Sequence, residues 1–223
     1  PEYVRKIFAE CVNCFKVDKN GTLFESTGNI KNLALANGIK TIGERVYKDC
    51  NLLREITLCA ETETIGESAF ENGKWLKAVK NAVGVRRIEA LAFCGCHSLE
   101  EIELSDSLEF IGKRAFEHCC NLHDIVIPDG VRKIRERTFF RCKSLKRIVL
   151  PSTLEVIEKE AFAFCAELEE VIFPNGLKAV NERAFAHCPK LTRCDIPQSA
   201  EIAENAFEGG EYNALQKIGE NRI

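Results

Sequence analysis

Residues 145–165 read LKRIVLPSTLEVIEKEAFAFC. Ile148 and Leu150 are apolar and two apart with Val149 between them, the spacing of a short strand that turns one face inward. Pro151 follows at once, where a residue with no donor and a fixed φ ends the strand and turns the chain. Leu154 and Ile157 then return the chain to the core. Ile157, Ala161, Phe162 and Cys165 fall close to helical spacing, which predicts roughly one to two turns of α or 3₁₀ helix.

The same phases recur on both sides of this stretch. Phe70, Phe93, Phe116, Phe139, Phe162 and Phe185 are each 23 residues apart, Tyr47 and Phe24 extend the series backwards, and Phe207 falls one residue short of it. A small residue precedes most of these rings, as at Ala69, Ala92, Ala115, Ala161, Ala184 and Ala206. Three residues later comes cysteine at Cys50, Cys96, Cys119, Cys142, Cys165 and Cys188, and six later leucine, from Leu53 to Leu191. Proline closes the strand at Pro128, Pro151, Pro174 and Pro197. A fixed period with fixed phases means that each segment adds the same piece of structure, and no segment buries its apolar face alone. The chain therefore predicts an α/β repeat solenoid, with short parallel strands on one face and short helical or 3₁₀ turns on the other. Strands about 4.8 Å apart make about eight or nine coils a rod about 40 Å long.

This unit resembles the BspA-like, or Treponema-type, leucine-rich repeat, which runs approximately Leu-x-x-Ile-x-Leu-Pro-x-x-Leu-x-x-Ile-Gly-x-x-Ala-Phe-x-x-Cys. The resemblance covers residues from about 30 to 210 and implies a right-handed leucine-rich-repeat superhelix. It also implies a non-enzymatic binding module of a bacterial or protozoan surface or adhesion-type protein, secreted or held at the cell surface, taking a protein or glycan partner. A reduced row of cysteines is equally at home in the cytoplasm. The chain departs from the pattern in two ways. The glycine after the second isoleucine is kept at Gly43, Gly66 and Gly112 but replaced at Glu89, Arg135, Glu158 and Asn181. In the coil from Lys74 to Val85, Asn81 stands for the inward leucine and Gly73 for the cysteine, so a local bulge is expected there.

Residues 1–29 fit the period poorly and read as an N-terminal cap. Residues 30–210 are the solenoid, and residues 211–223 a C-terminal cap or linker, since a solenoid end exposes a raw apolar cross-section. A net charge of −3 and a pI near 5.9 argue against a phosphate-binding face. No apolar run approaches the roughly 20 residues that span a bilayer. The opening PEYVRKIFAE is amphipathic and charged, without a secretion signal's apolar stretch.

Twelve cysteines raise the question of a disulfide framework. Six share one phase beside the aromatic, where stacked side chains point in parallel, so they read as a row of small buried hydrophobes. A zinc site is the competing chemistry. Cys94, Cys96 and His97 lie one coil before His118, Cys119 and Cys120, and His97 and Cys120 share a phase, but the spacing matches no standard finger. Cys11 and Cys14 form a lone C-x-x-C within the cap. No nucleophile elbow, phosphate-cradling glycine loop or H-E-x-x-H is present, so the sequence points away from an enzyme and names no cofactor.

The outward strand position offers a candidate site. Along the chain it reads Thr57, Lys80, Glu103, Val126, Val149, Ile172, Asp195, which lines up three exposed apolar side chains on neighbouring coils. Glu101, Asp124, Arg147, Glu170 and Arg193 flank them two positions earlier. An apolar stripe rimmed by charge has the make-up of an interaction site, although β-propensity alone also places Val and Ile on strands. Self-association, or a spacer that displays another domain, is the alternative use.

Overall fold

The computed structural model describes residues 15–26 and 30–211. Each coil has three sides. The first carries the strands β3 (Asn32–Ala34), β5 (Glu55–Thr57), β7 (Ala78–Lys80), β9 (Glu101–Ile102), β11 (Asp124–Val126), β13 (Arg147–Val149), β15 (Glu170–Ile172) and β17 (Arg193–Asp195). The second carries two-residue strands: β4 (Thr41–Ile42), β6 (Thr64–Ile65), β8 (Arg87–Ile88), β10 (Phe110–Ile111), β12 (Lys133–Ile134), β14 (Val156–Ile157), β16 (Ala179–Val180) and β18 (Glu201–Ile202). On both sides like strands of neighbouring coils pair in parallel at all but one junction, and the usual offset between partners is 23 residues, as in Ile56 with Val79 and Ile134 with Ile157. The N-terminal part adds an antiparallel hairpin of β1 (Phe15–Val17) and β2 (Thr22–Ser26), whose second strand pairs with β4. Residues 1–14, with Cys11 and Cys14, and residues 212–223 of the expected C-terminal segment lie outside the described residues.

The third side corrects the sequence expectation. The segment from Ile157 to Cys165 is a run of turns, not a helix, and none of the return segments from Arg45 to Cys188 is helical. Its N–H groups alternate in destination. Glu160, Phe162 and Phe164 donate to the next coil, at Glu182, Ala184 and Ala186, over 3.0, 2.7 and 2.8 Å. Ala161, Ala163 and Cys165 donate three residues back within their own coil, at 3.2 to 3.3 Å. A helix would spend every N–H inside the coil and leave none to join coils. The alternation needs left-handed backbone at two phases, and Glu160 and Phe164 have φ of +53° and +64°. The same pair of phases is left-handed at Arg114 and His118 and at Arg137 and Arg141. Such residues cost on the order of 1–3 kcal/mol each, and the cross-coil bond each N–H makes offsets that cost.

The core is a single file of rings with aliphatic walls. Tyr47, Phe70, Phe93, Phe116, Phe139, Phe162, Phe185 and Phe207 stack with centroids 5.0 to 5.4 Å apart. Beside them Cys96, Cys119, Cys142, Cys165 and Cys188 are buried free thiols, while Cys50 is only half-buried. Each buried thiol also donates to a backbone oxygen of the preceding coil, from Cys96 to Phe70 at 3.2 Å through to Cys188 to Phe162 at 3.2 Å. They link coils as well as filling space.

The coil from Lys74 to Val85 keeps its 23-residue register with both neighbours, so the expected bulge does not displace the ladder. Asn81 absorbs the irregularity with a φ of +59° and an Nδ2–H bond to the Leu58 carbonyl at 2.7 Å. The shortfall before Phe207 falls in the turn after Pro197. Glu170 still pairs with Arg193 at an offset of 23, but Ala179 pairs with Glu201 at 22.

Candidate binding surface

Along each first-face strand, successive side chains alternate between core and solvent. Ile125, Ile148 and Val171 are buried, so the residues after them must point out. Val126, Val149 and Ile172 are 62%, 47% and 68% exposed. Val126 is in register with Val149, and Ile172 with Asp195, so the three lie on consecutive coils of one sheet. The flanking phase runs Asp124, Arg147, Glu170, Arg193 in direct register, all exposed and alternating in sign. Arg147 Nε lies 3.4 Å from Asp124 Oδ1. Glu101 is exposed on β9 but is not paired with Asp124 across the next junction.

Two shallow grooves run over this face. One lies over β13 and β15 and is lined by Asp124, Arg147, Val149, Leu150, Glu170 and Ile172. The other lies between β9 and β11, where Glu101, Glu103, Asp106 and Asp124 border Ile102 and Val126. The sequence reading did not single out Glu103 or Asp106 for this second groove. The signal was available, because residues 100–106 read EEIELSD and put their carboxylates in one coil.

The candidate zinc ligands are not brought together. Cys96 and Cys119 are wholly buried and donate to the carbonyls of Phe70 and Phe93. His97 is exposed, and its ring centre stands 6.3 Å from that of His118. Burial pushes the Cys94 thiol up to about 11, helped by the Glu117 charge, and also raises Cys120, which works against thiolate ligation. Among the described residues no three such side chains converge. Burial likewise lowers the pKa of His118.

The return face holds a charge network that the sequence reading missed. Glu117 is buried and bonded to Arg114 Nε, with Arg137 Nη2 at 3.2 Å. Arg137 reaches Glu160 at 3.4 Å, Arg183 reaches Glu160 at 3.8 Å, and Arg183 reaches Glu208 at 3.6 Å. These residues carry one coil's charge to the next, a structural role. No helix among the described residues is long and apolar enough to cross a membrane.

The sequence matches a family described as the BspA type leucine rich repeat region, in six copies over residues 18–146 and 133–218. No curated protein matches it. Among solved structures it is similar to a leucine-rich cell surface protein from Faecalibacterium prausnitzii. The two are 28% identical over 86% of this chain and 55% of that one, with a TM-score of 0.77. A leucine-rich repeat protein from Bacteroides ovatus is 27% identical over 88% of this chain and 55% of that one, with a TM-score of 0.79. This chain thus spans about half the length of these two proteins. A leucine-rich repeat protein of T. pallidum shares the fold at 23% identity, with 93% of this chain and 91% of that one covered and a TM-score of 0.65. The chain belongs to the BspA-type leucine-rich repeat family.

Proposed function

We propose that this repeat region is a non-enzymatic interaction module of a surface protein that binds a protein partner across its first strand face, centred on Val126, Val149 and Ile172. The observation that carries this reading is the run of three exposed aliphatic side chains on consecutive coils, beside a row of charges alternating in sign. Fixed backbone holds them, so little ordering entropy opposes binding. The stripe is aliphatic and offers no ring for a sugar to stack on, which favours a protein over a glycan. Kinship to a cell surface protein of F. prausnitzii supports the surface location.

The test compares Val149→Lys with Val83→Lys, a residue 61% exposed outside the stripe. Each variant is first checked for an unchanged melting temperature. Both are then probed by surface plasmon resonance against a panel of purified extracellular-matrix proteins, and by sedimentation velocity for self-association. Val149→Lys is expected to abolish capture that Val83→Lys retains. Equal capture by parent and Val149→Lys would refute the site, and loss of self-association alone would favour a scaffold.

A further inference from the structure

Among the described residues, parallel ladders close the successive junctions along both strand faces, except the one between the fourth and fifth coils. There β9 does not pair with β11, nor β10 with β12. Repeating bonds show what is missing. On the first face the Glu100 N–H donates to Lys77 at 2.9 Å and the Lys146 N–H to His123 at 2.8 Å, but no bond joins His123 to Glu100. On the second face Gly112 donates to Ile88 and Glu158 to Ile134, both at 2.8 Å, but Arg135 does not donate to Ile111.

The ion pairs divide at the same place. Lys77–Glu100 and Arg86–Glu109 lie before it, and Asp124–Arg147, Arg132–Glu155 and Lys190–Glu167 after it. Those that cross sit on the return face, Lys113–Glu136 at 3.1 Å and Arg137–Glu117 at 3.2 Å. The return face is also unbroken in its backbone, with Arg114, Phe116 and His118 donating across to Glu136, Thr138 and Phe140 at 3.0, 2.9 and 2.8 Å. The ring stack continues from Phe116 to Phe139, and Arg135 packs over Phe110 at 4.6 Å.

Two sequence features coincide with the gap. Two residues past the outward strand position stands Ala36, Cys59, Ala82 or Ser105 in the first four coils and Pro128, Pro151, Pro174 or Pro197 in the last four. Proline fixes φ and removes a donor, so the two blocks differ in the turn that follows the first-face strand, although Gly130 still lies close against the Leu108 carbonyl at this corner. Charge differs as well. Glu101 and Asp124 occupy one phase on facing coils and carry like charge, whereas Asp124, Arg147, Glu170 and Arg193 alternate in sign on paired strands.

We propose that the solenoid is two four-coil blocks, residues 30–121 and 122–211, that articulate at this junction, with the return face as hinge and the strand faces as the side that opens. Opening changes the curvature of the first strand face at the edge where Val126 begins the apolar stripe. A partner that touches both blocks would therefore select one curvature.

Hydrogen exchange of the whole chain, with rates corrected for sequence, tests the articulation. The return-face amides at the junction, Phe116 and His118, bear the hinge motion. They are expected to exchange at least tenfold faster than the equivalent amides inside the blocks, Phe93 and Phe139, whose bonds to Ala115 and Ala161 are both 2.8 Å. Glu101→Lys replaces the like charge with one opposite to that of Asp124 and should slow Phe116 about threefold while leaving Phe93 unchanged. About 0.5 M salt, which screens exposed charges beyond a few ångströms, should slow Phe116 in the parent without any substitution. Equal protection of Phe116, Phe93 and Phe139 would overturn the proposal. So would a Phe116 rate indifferent to both Glu101→Lys and salt.

Discussion

Phe139→Ala removes one ring from the middle of the stack. Phe139 is fully buried, parallel to Phe116 at 5.4 Å and 2° and to Phe162 at 5.2 Å and 6°. Truncating a buried phenylalanine costs about 3–5 kcal/mol in transfer and cavity terms. Each ring pair adds roughly 0.5–1.5 kcal/mol beyond area burial, and two pairs are lost, so the cost should lie near the top of that range, about 4–5 kcal/mol. Relaxation cannot recover much, because cross-coil backbone bonds hold the rings above and below in place. Phe139→Leu keeps most of the volume, a change that usually costs under about 1.5 kcal/mol. With both ring pairs lost as well, about 2 kcal/mol is expected. Urea denaturation followed by circular dichroism measures both, and a constant slope with denaturant would show that the unfolding reaction is unchanged. Trp75→Ala, at a side chain 52% exposed, should cost under about 0.5 kcal/mol. Equal costs for Phe139→Ala and Phe139→Leu, or a cost below about 1 kcal/mol for the former, would refute the view that the stack carries the core.

The buried thiols should resist a maleimide reagent at pH 8 until the protein is unfolded in guanidinium; mass spectrometry that found Cys119, Cys142 or Cys165 labelled in the native protein would contradict their burial. Burial raises the pKa of those thiols and pushes Cys188 up to about 12. The unfolded chain therefore releases these protons first. Stability should be fully present below about pH 8.5 and fall by roughly 1.4 kcal/mol per buried thiol per pH unit above it. Urea midpoints from pH 7.5 to 10 would show this, and a flat profile would count against it. Glu117→Gln leaves Arg114 without its carboxylate and Arg137 with Glu160 alone, and should cost about 2 kcal/mol, discounted from the value for a fully buried pair because both arginines are partly exposed; an unchanged urea midpoint would argue against the network. Lys77→Ala, at the exposed pair with Glu100, should shift stability by less than about 0.5 kcal/mol, and a loss above about 1 kcal/mol would be inconsistent with solvent screening.

Much of the fold was legible in residues 145–165, because burial imposes period and phase directly on residue type. Ile148 had to be apolar and Val149 did not, and the aromatic, leucine and cysteine phases gave the register that the ladders adopt. The return segment misled because Ile157, Ala161, Phe162 and Cys165 satisfy helical spacing and turn spacing equally. What separates the two is a left-handed φ at Glu160 and Phe164, and neither residue type announces it. Asn81 was visible as a departure, but its side-chain bond, which spares the register, was not. The apolar stripe could be read from Val126, Val149 and Ile172. The groove beside it was missed: the acidic run at residues 100–106 and the change from Ser105 to Pro128 mark its place, but the absence of pairing between β9 and β11 is not written in any one residue.

The alternating hydrogen bonds of the return face give that segment a parity. Odd and even positions have different jobs, one serving the coil itself and the other its neighbour. Losing a single residue between Glu158 and Cys165 would exchange the two roles, aim cross-coil donors into their own turn and put left-handed backbone under the wrong side chains. The turn after Pro197 has no such bookkeeping, and it is where this chain is in fact one residue short. Changes in length can therefore accumulate at the corners of the coil, or as whole 23-residue units, while the return segment keeps its count.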